Sequence, residues 1–163
     1  MAATDLSAPE TTFVAEPGSH AATTTAVIAA PIENVWRAHV EPDLFVQWWG
    51  PAELTSRVET WEPTSGGSWR VVHIDPEGGE YGFRGVYHEV VPQERLIFTF
   101  EFEGMPGHVC LETHTFEAVE GGTRVTQHAV FQSVEDRDGM AESGMEAHAP
   151  VAMAQLQAVA SSL

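Results

Sequence analysis

The sequence predicts an α+β domain in which one curved antiparallel sheet wraps around a long C-terminal helix. Three observations carry that prediction. Met145, Ala149, Ala152, Leu156, Val159 and Leu163 recur at steps of three or four, so the stretch 138–163 reads as a helix with one apolar face. Residues 54–131 alternate between strand-like runs and short turns, the pattern of an antiparallel meander. A sheet with one apolar face needs a second layer, and the terminal helix is the element long enough to supply it.

The elements follow in chain order. Residues 1–19 are rich in Ala, Thr, Ser, Glu and Pro and lack periodicity, and Phe13-Val14 is their one strongly apolar pair. They read as a mobile leader that can dock through that pair, ahead of one domain over 20–163. Thr23-Thr24-Thr25-Ala26-Val27-Ile28 suits a first strand. Pro31 opens a helix whose Ile32, Val35, Trp36, His39 and Val40 share a face. Pro42 opens a second short helix through Trp49, ended by Gly50-Pro51. Six strands follow: Leu54–Trp61, Ser68–Ile74, Tyr81–Val91, Leu96–Phe102, His108–Val119 and Thr123–Phe131, divided by Pro- and Gly-rich turns. The run Glu135-Asp136-Arg137-Asp138 reads as a solvated helix entrance. Pro150 removes a backbone hydrogen bond, so the last helix is expected to begin near it or bend there.

The chain has 24 acidic and 7 basic residues, a net charge of −17. That charge repels phosphate backbones and anionic membrane surfaces, so neither nucleic acid nor membrane is expected as a partner. One cysteine, Cys110, excludes an intrachain disulfide and fits a reducing cytoplasm. No apolar stretch has the length of a membrane span, and no signal-peptide pattern opens the chain. A monomer and a homodimer both fit the sequence, the latter through an edge strand.

Several stretches resemble one superfamily in their order along the chain. They are Ala30-Pro31-Ile32-Glu33-Asn34-Val35-Trp36-Arg37-Ala38, Trp48-Trp49-Gly50-Pro51 and Gly66-Gly67-Ser68-Trp69-Arg70. Gly85-Val86-Tyr87-His88-Glu89-Val90 follows, with Pro92 and Glu94-Arg95-Leu96, and then Gly121-Gly122-Thr123-Arg124-Val125-Thr126. Together they span about residues 20–163 and resemble the START-like, helix-grip superfamily (SRPBCC, related to the birch-pollen-allergen fold). Within it the chain is most similar to the activator of heat-shock protein 90 ATPase homologues of the stand-alone bacterial type. The resemblance implies a helix-grip fold with a cavity between sheet and terminal helix. Its members include lipid carriers, hormone receptors, and polyketide cyclases and aromatases, so it implies fold more narrowly than function.

The family places an aromatic residue on the inner face where Phe116 stands. Period-two alternation from Phe116 then turns His114, Glu112 and Cys110 inward. A hairpin across Gly121-Gly122 sets Val125, Gln127, Ala129 and Phe131 opposite. Glu112, His114 and Gln127 would form a polar cluster on an apolar concave face. A carboxylate and an imidazole in such a place can exchange protons with a ligand, or can simply satisfy each other. Cys110 on the same face reads as an inert buried thiol rather than a nucleophile. Trp49, Trp69, Tyr87 and Phe100 from the earlier helices and strands, and Cys110, Phe116, Gln127 and Phe131 from the last two strands, are expected at the ligand. His148 and Ala152 are expected there from the last helix. The remaining histidines are scattered, and no HExxH or CxxC spacing or glycine loop occurs, so no metal and no cofactor are expected.

Two functional classes fit. One is a module that binds a small apolar or aromatic molecule, as carrier, sensor or sequestering protein. The other is a cofactor-independent cyclase or lyase that uses Glu112 and His114 as acid and base. A chaperone-interacting role through the outer surface is a weaker third.

Overall fold

A computed structural model describes residues 7–163 and shows eight strands joined in one antiparallel sheet. The strands are β1 (Thr11–Val14), β2 (Ala21–Ile28), β3 (Thr55–Trp61), β4 (Ser68–Ile74), β5 (Glu80–Val91), β6 (Arg95–Phe102), β7 (Val109–Val119) and β8 (Gly122–Val130). Their order across the sheet is β1-β2-β8-β7-β6-β5-β4-β3. Helices α1 (Ile32–Val40) and α2 (Pro42–Phe45) sit between β2 and β3, and α3 (Val134–Glu142) and α4 (Met145–Ser161) close the chain. The α+β, helix-grip architecture expected from sequence is the one observed.

Four local expectations differ from the structure, the fourth being the burial of Arg137 described below. Part of the presumed leader is ordered, because Thr11–Val14 pairs with Thr23–Ala26 as an edge strand. Four residues are too few to show alternation in sequence, and the neighbouring strand supplies the hydrogen bonds that hold them. Met1–Leu6 lie outside the described residues. The second short helix ends at Phe45 rather than Trp49. The terminal helix is interrupted at Gly144, six residues before Pro150, where φ is +102°. Glycine adopts that left-handed conformation without a steric penalty. Helix α4 runs on through Pro150, which stands in its second turn and forgoes one backbone hydrogen bond.

Helix α4 is anchored at one side of the sheet. It packs against α1, β1 and β2 through buried Met153, Leu156, Val159 and Ala160. Polar clamps fix that seat. Gln157 is buried, accepts the Ala29 N–H through Oε1 at 2.9 Å and donates to the Ser7 carbonyl at 2.9 Å. Asn34 Nδ2 donates to the Ala160 carbonyl at 3.1 Å. Helix α3 is held by Arg137, which the sequence placed in solvent but which is 4% exposed. Its guanidinium donates to the Glu16 and Ala21 carbonyls and pairs with Asp138 at 2.7 Å.

Strand alternation sets the core. On β2, Ala22, Thr24, Ala26 and Ile28 are buried and their neighbours are not. On the outer face, charges pair across strands, as in Arg70–Glu103 at 2.7 Å and Arg84–Glu101 at 2.8 Å. All seven arginines contact a carboxylate. The excess negative charge is therefore not offset by any unpaired cationic patch. No helix among the described residues is long and apolar enough to cross a membrane.

Gly85 in β5 is a close-approach position. A Cβ there would lie 1.7 Å from the Thr99 carbonyl oxygen and 2.6 Å from Trp69 Nε1, two atoms already hydrogen-bonded to each other at 3.2 Å. Gly85→Ala is expected to cost about 2 kcal/mol or more through overpacking. Chemical denaturation checks this, and an unchanged midpoint would contradict it.

Candidate functional site

The concave face of β4–β7 and the N-terminal half of α4 enclose a cavity of about 550 Å³. That is the size range of small-molecule sites. Its walls are mostly aromatic. Phe83, Phe98 and Phe100 come from β5 and β6, Trp69 and Tyr87 from β4 and β5, and Trp61 from β3. Phe45, Trp48 and Trp49 enter from α2 and the turns that follow it. These rings hold one another: Trp49 stacks on Phe45 at 5.2 Å and meets Phe83 edge-on at 5.3 Å, and Phe83 stacks on Phe100 at 5.6 Å. Such offset and edge contacts add to the burial of the rings themselves.

Both Trp48 and Trp49 reach the cavity, although two adjacent residues cannot share one helical face. They can because α2 has already ended and tight turns carry the chain past Phe45. Gly50, at φ +86°, then lets the backbone approach His73, where a Cβ would stand 2.5 Å from Nε2. Trp48 is fixed by an indole N–H bond to the Ala38 carbonyl at 2.8 Å.

The predicted inner row holds. His114 faces Gln127, Glu112 faces Ala129 and Phe116 faces Val125 across the β7–β8 hairpin. Cys110, Glu112, His114, Gln127 and Phe131 line the cavity, as do Trp49, Trp69, Tyr87, Phe100, His148 and Ala152. Phe116 does not. It lies deeper, under α1, edge-on to Trp36 at 5.4 Å and to His39 at 4.8 Å. Helix α1 covers that end of β7, so an inward residue there meets the core and not the cavity.

The polar end of the cavity combines Glu112, His114 and His39. Glu112 Oε1 stands 3.6 Å from His114 Nε2, too long for a hydrogen bond. His39, one of the scattered histidines given no site role from sequence, is 3% exposed and lines the cavity. The signal that could have found it is its place on the α1 face with Ile32, Val35 and Trp36. Its Nδ1 lies 2.8 Å from the Val35 carbonyl. Burial, with His114 nearby, pushes the His39 pKa down to about 3 against a weaker opposing effect of the Val35 bond. Burial also lowers His73, whose Nδ1 meets Ser56 Oγ at 2.9 Å. Burial and the Glu112 charge push the Cys110 thiol up, so it stays protonated and is a poor nucleophile. Burial pushes the Tyr87 hydroxyl up as well. No group of three metal-ligating side chains forms among the described residues.

A curved antiparallel sheet, a terminal helix seated on one side and a cavity between them define a helix-grip protein. Residues 29–161 match the family described as Activator of Hsp90 ATPase homolog 1-like protein, and the chain belongs to that family. Solved structures share the whole fold. A Rhodobacter sphaeroides protein is 28% identical with a TM-score of 0.85, over 94% of this chain and 100% of its own. An Arthrobacter aurescens protein is 27% identical with a TM-score of 0.84, over 93% and 92%. A Nitrosomonas europaea protein is 25% identical with a TM-score of 0.77, over 87% and 94%. No curated protein matches the chain.

The neutral His39 makes stability depend on pH. Below about 6.5 the unfolded chain takes up a proton that the folded chain refuses. Stability is therefore full above that value and falls as pH drops towards 3, by about 1.4 kcal/mol per unit for this one group. Melting curves between pH 7 and 5 should show a limb that is flatter in His39→Phe. An equal slope in the two proteins would contradict the assignment.

Proposed function

We propose that this protein binds a small apolar or aromatic molecule in the cavity, as a carrier, sensor or sequestering protein of the cytoplasm. The observation that carries the reading is a cavity of about 550 Å³ whose aromatic walls are held by one another. Flat apolar ligands gain large, oriented contact from such walls at little cost in side-chain ordering. Proteins of this fold commonly bind hydrophobic ligands, which supports the same reading. The single reduced cysteine suits a reducing compartment.

The Glu112–His114 separation of 3.6 Å inside the cavity favours a second reading, acid–base chemistry on the bound molecule. There Glu112 would take a proton from an activated carbon and His114 would return one to an oxygen, as in an enolisation or dehydration. No cofactor is needed for that chemistry.

Thermal shift with a panel of apolar, aromatic and polyketide-like compounds separates the two. A compound present at a hundred times its Kd should raise Tm by roughly 5–10 °C. Under the binding reading, purely apolar members shift the wild type and a Glu112→Ala, His114→Ala double variant alike. A shift confined to the wild type would make the two side chains essential and move the case to turnover assays. No shift with any compound contradicts both readings.

A further inference from the structure

We propose that the inner end of the cavity selects a neutral aromatic ligand bearing a hydroxyl group, and that His39 Nε2 is the acceptor that reads it. This rests on the cavity-binding reading above and names its ligand class. His39 Nδ1 lies 2.8 Å from the Val35 carbonyl, and a carbonyl only accepts, so the ring proton is on Nδ1. The neutral ring then presents a bare lone pair at Nε2. That atom is buried and has no hydrogen-bond partner among the described residues. His114, 6% exposed, has no hydrogen-bond partner at either ring nitrogen among the described residues. Both rings line the cavity, perpendicular to each other with centroids 5.8 Å apart.

Unpartnered buried polar atoms are uncommon, and three from two facing rings point to a ligand group that completes them. Their chemistry says which group. His39 Nε2 and the Glu112 carboxyl oxygens accept, and the His114 ring brings at least one N–H donor in either tautomer. The Trp48 and Trp69 indole donors are already used, on the Ala38 and Thr99 carbonyls. Thr24, Tyr87 and Gln127 also line the cavity, yet none bonds either histidine. A ligand hydroxyl fits this set: it donates to His39 Nε2 and accepts from His114. An ether brings an acceptor alone. A carboxylate brings acceptors and a negative charge beside Glu112, in a chain of net charge −17. The His39 ring is held for this role between Trp48 and Phe116, each with its centroid 4.8 Å away. Burial keeps that ring neutral through the physiological range, so the lone pair is present.

The test compares 2-naphthol, 2-methoxynaphthalene and 2-naphthoate by calorimetry on the whole chain. The expected result is that 2-naphthol binds about tenfold or more tightly than the ether, with naphthoate weakest. In His39→Phe the ratio of naphthol to ether should fall below about threefold. A wild-type measurement stands beside the variant in case it folds poorly: with 15N-labelled histidine, 2-naphthol should move the His39 Nε2 resonance and the ether should not. Equal affinities for naphthol and ether overturn this inference and leave the cavity reading standing, because both compounds still bind. A preference that survives in His39→Phe, or an unmoved His39 Nε2 resonance with naphthol bound, also overturns it. Failure of all three compounds to bind overturns the cavity reading and this inference together.

Discussion

An eight-strand sheet is wider than one helix, and the rest of this molecule follows from that mismatch. At about 4.8 Å per strand the sheet spans roughly 34 Å, while a helix with its side chains is about 10–12 Å across. Helix α4 covers the β1–β2 side and α1 covers the ends of β7 and β8. The concave middle, β4 to β6, has no helix of its own. Large aromatic side chains reach inward from those strands and from the Phe45–Trp49 turns, and what they leave unfilled is the cavity. The cavity is thus a consequence of where the helices are anchored, and Gln157, Asn34 and Arg137 do the anchoring.

The same geometry explains why the polar groups gather at one end. Strand β7 runs from beneath α1 out under the open middle of the sheet. Its inward row therefore changes surroundings along its length: Phe116 meets the core, while His114, Glu112 and Cys110 meet the cavity. His39, on the inner face of α1, arrives at that same boundary from the other layer. Across the cavity, Met140, Ser143, Gly144 and Met145 form a wall where α3 passes into α4. A left-handed glycine at that joint sets the direction in which α4 departs.

Most of the fold was legible because period two and turn chemistry are local signals. Gly121-Gly122 fixed the β7–β8 turn, and alternation from Phe116 then placed Glu112, His114 and Gln127 on the face where they are observed. Strand β1 was not legible, since Thr11–Val14 is an edge whose bonds come from β2. The break at Gly144 was hidden because the apolar residues that mark the helix, Met145 to Leu163, all lie beyond it and 138–143 carry no pattern of their own, and Pro150 drew attention to a turn that stays helical. His39 could be placed on the right helical face, but its meeting with His114 depends on two elements 75 positions apart in sequence. Phe116 points inward yet lies outside the cavity lining for a related reason: direction is readable from a strand, and what covers it is not.

The five tryptophans offer the most direct test of the central claim, that the uncovered concave face is an apolar binding site. Trp48, Trp49, Trp61 and Trp69 line the cavity, whereas Trp36 is packed under α1 against Phe116. An amide and indole 1H–15N NMR titration with naphthalene would report on all five in one spectrum. Naphthalene bound in the cavity should shift the four cavity indoles progressively and leave the Trp36 indole in place. Indole signals that stay in place at saturating naphthalene, or shifts spread over the outer face of the sheet, would contradict it.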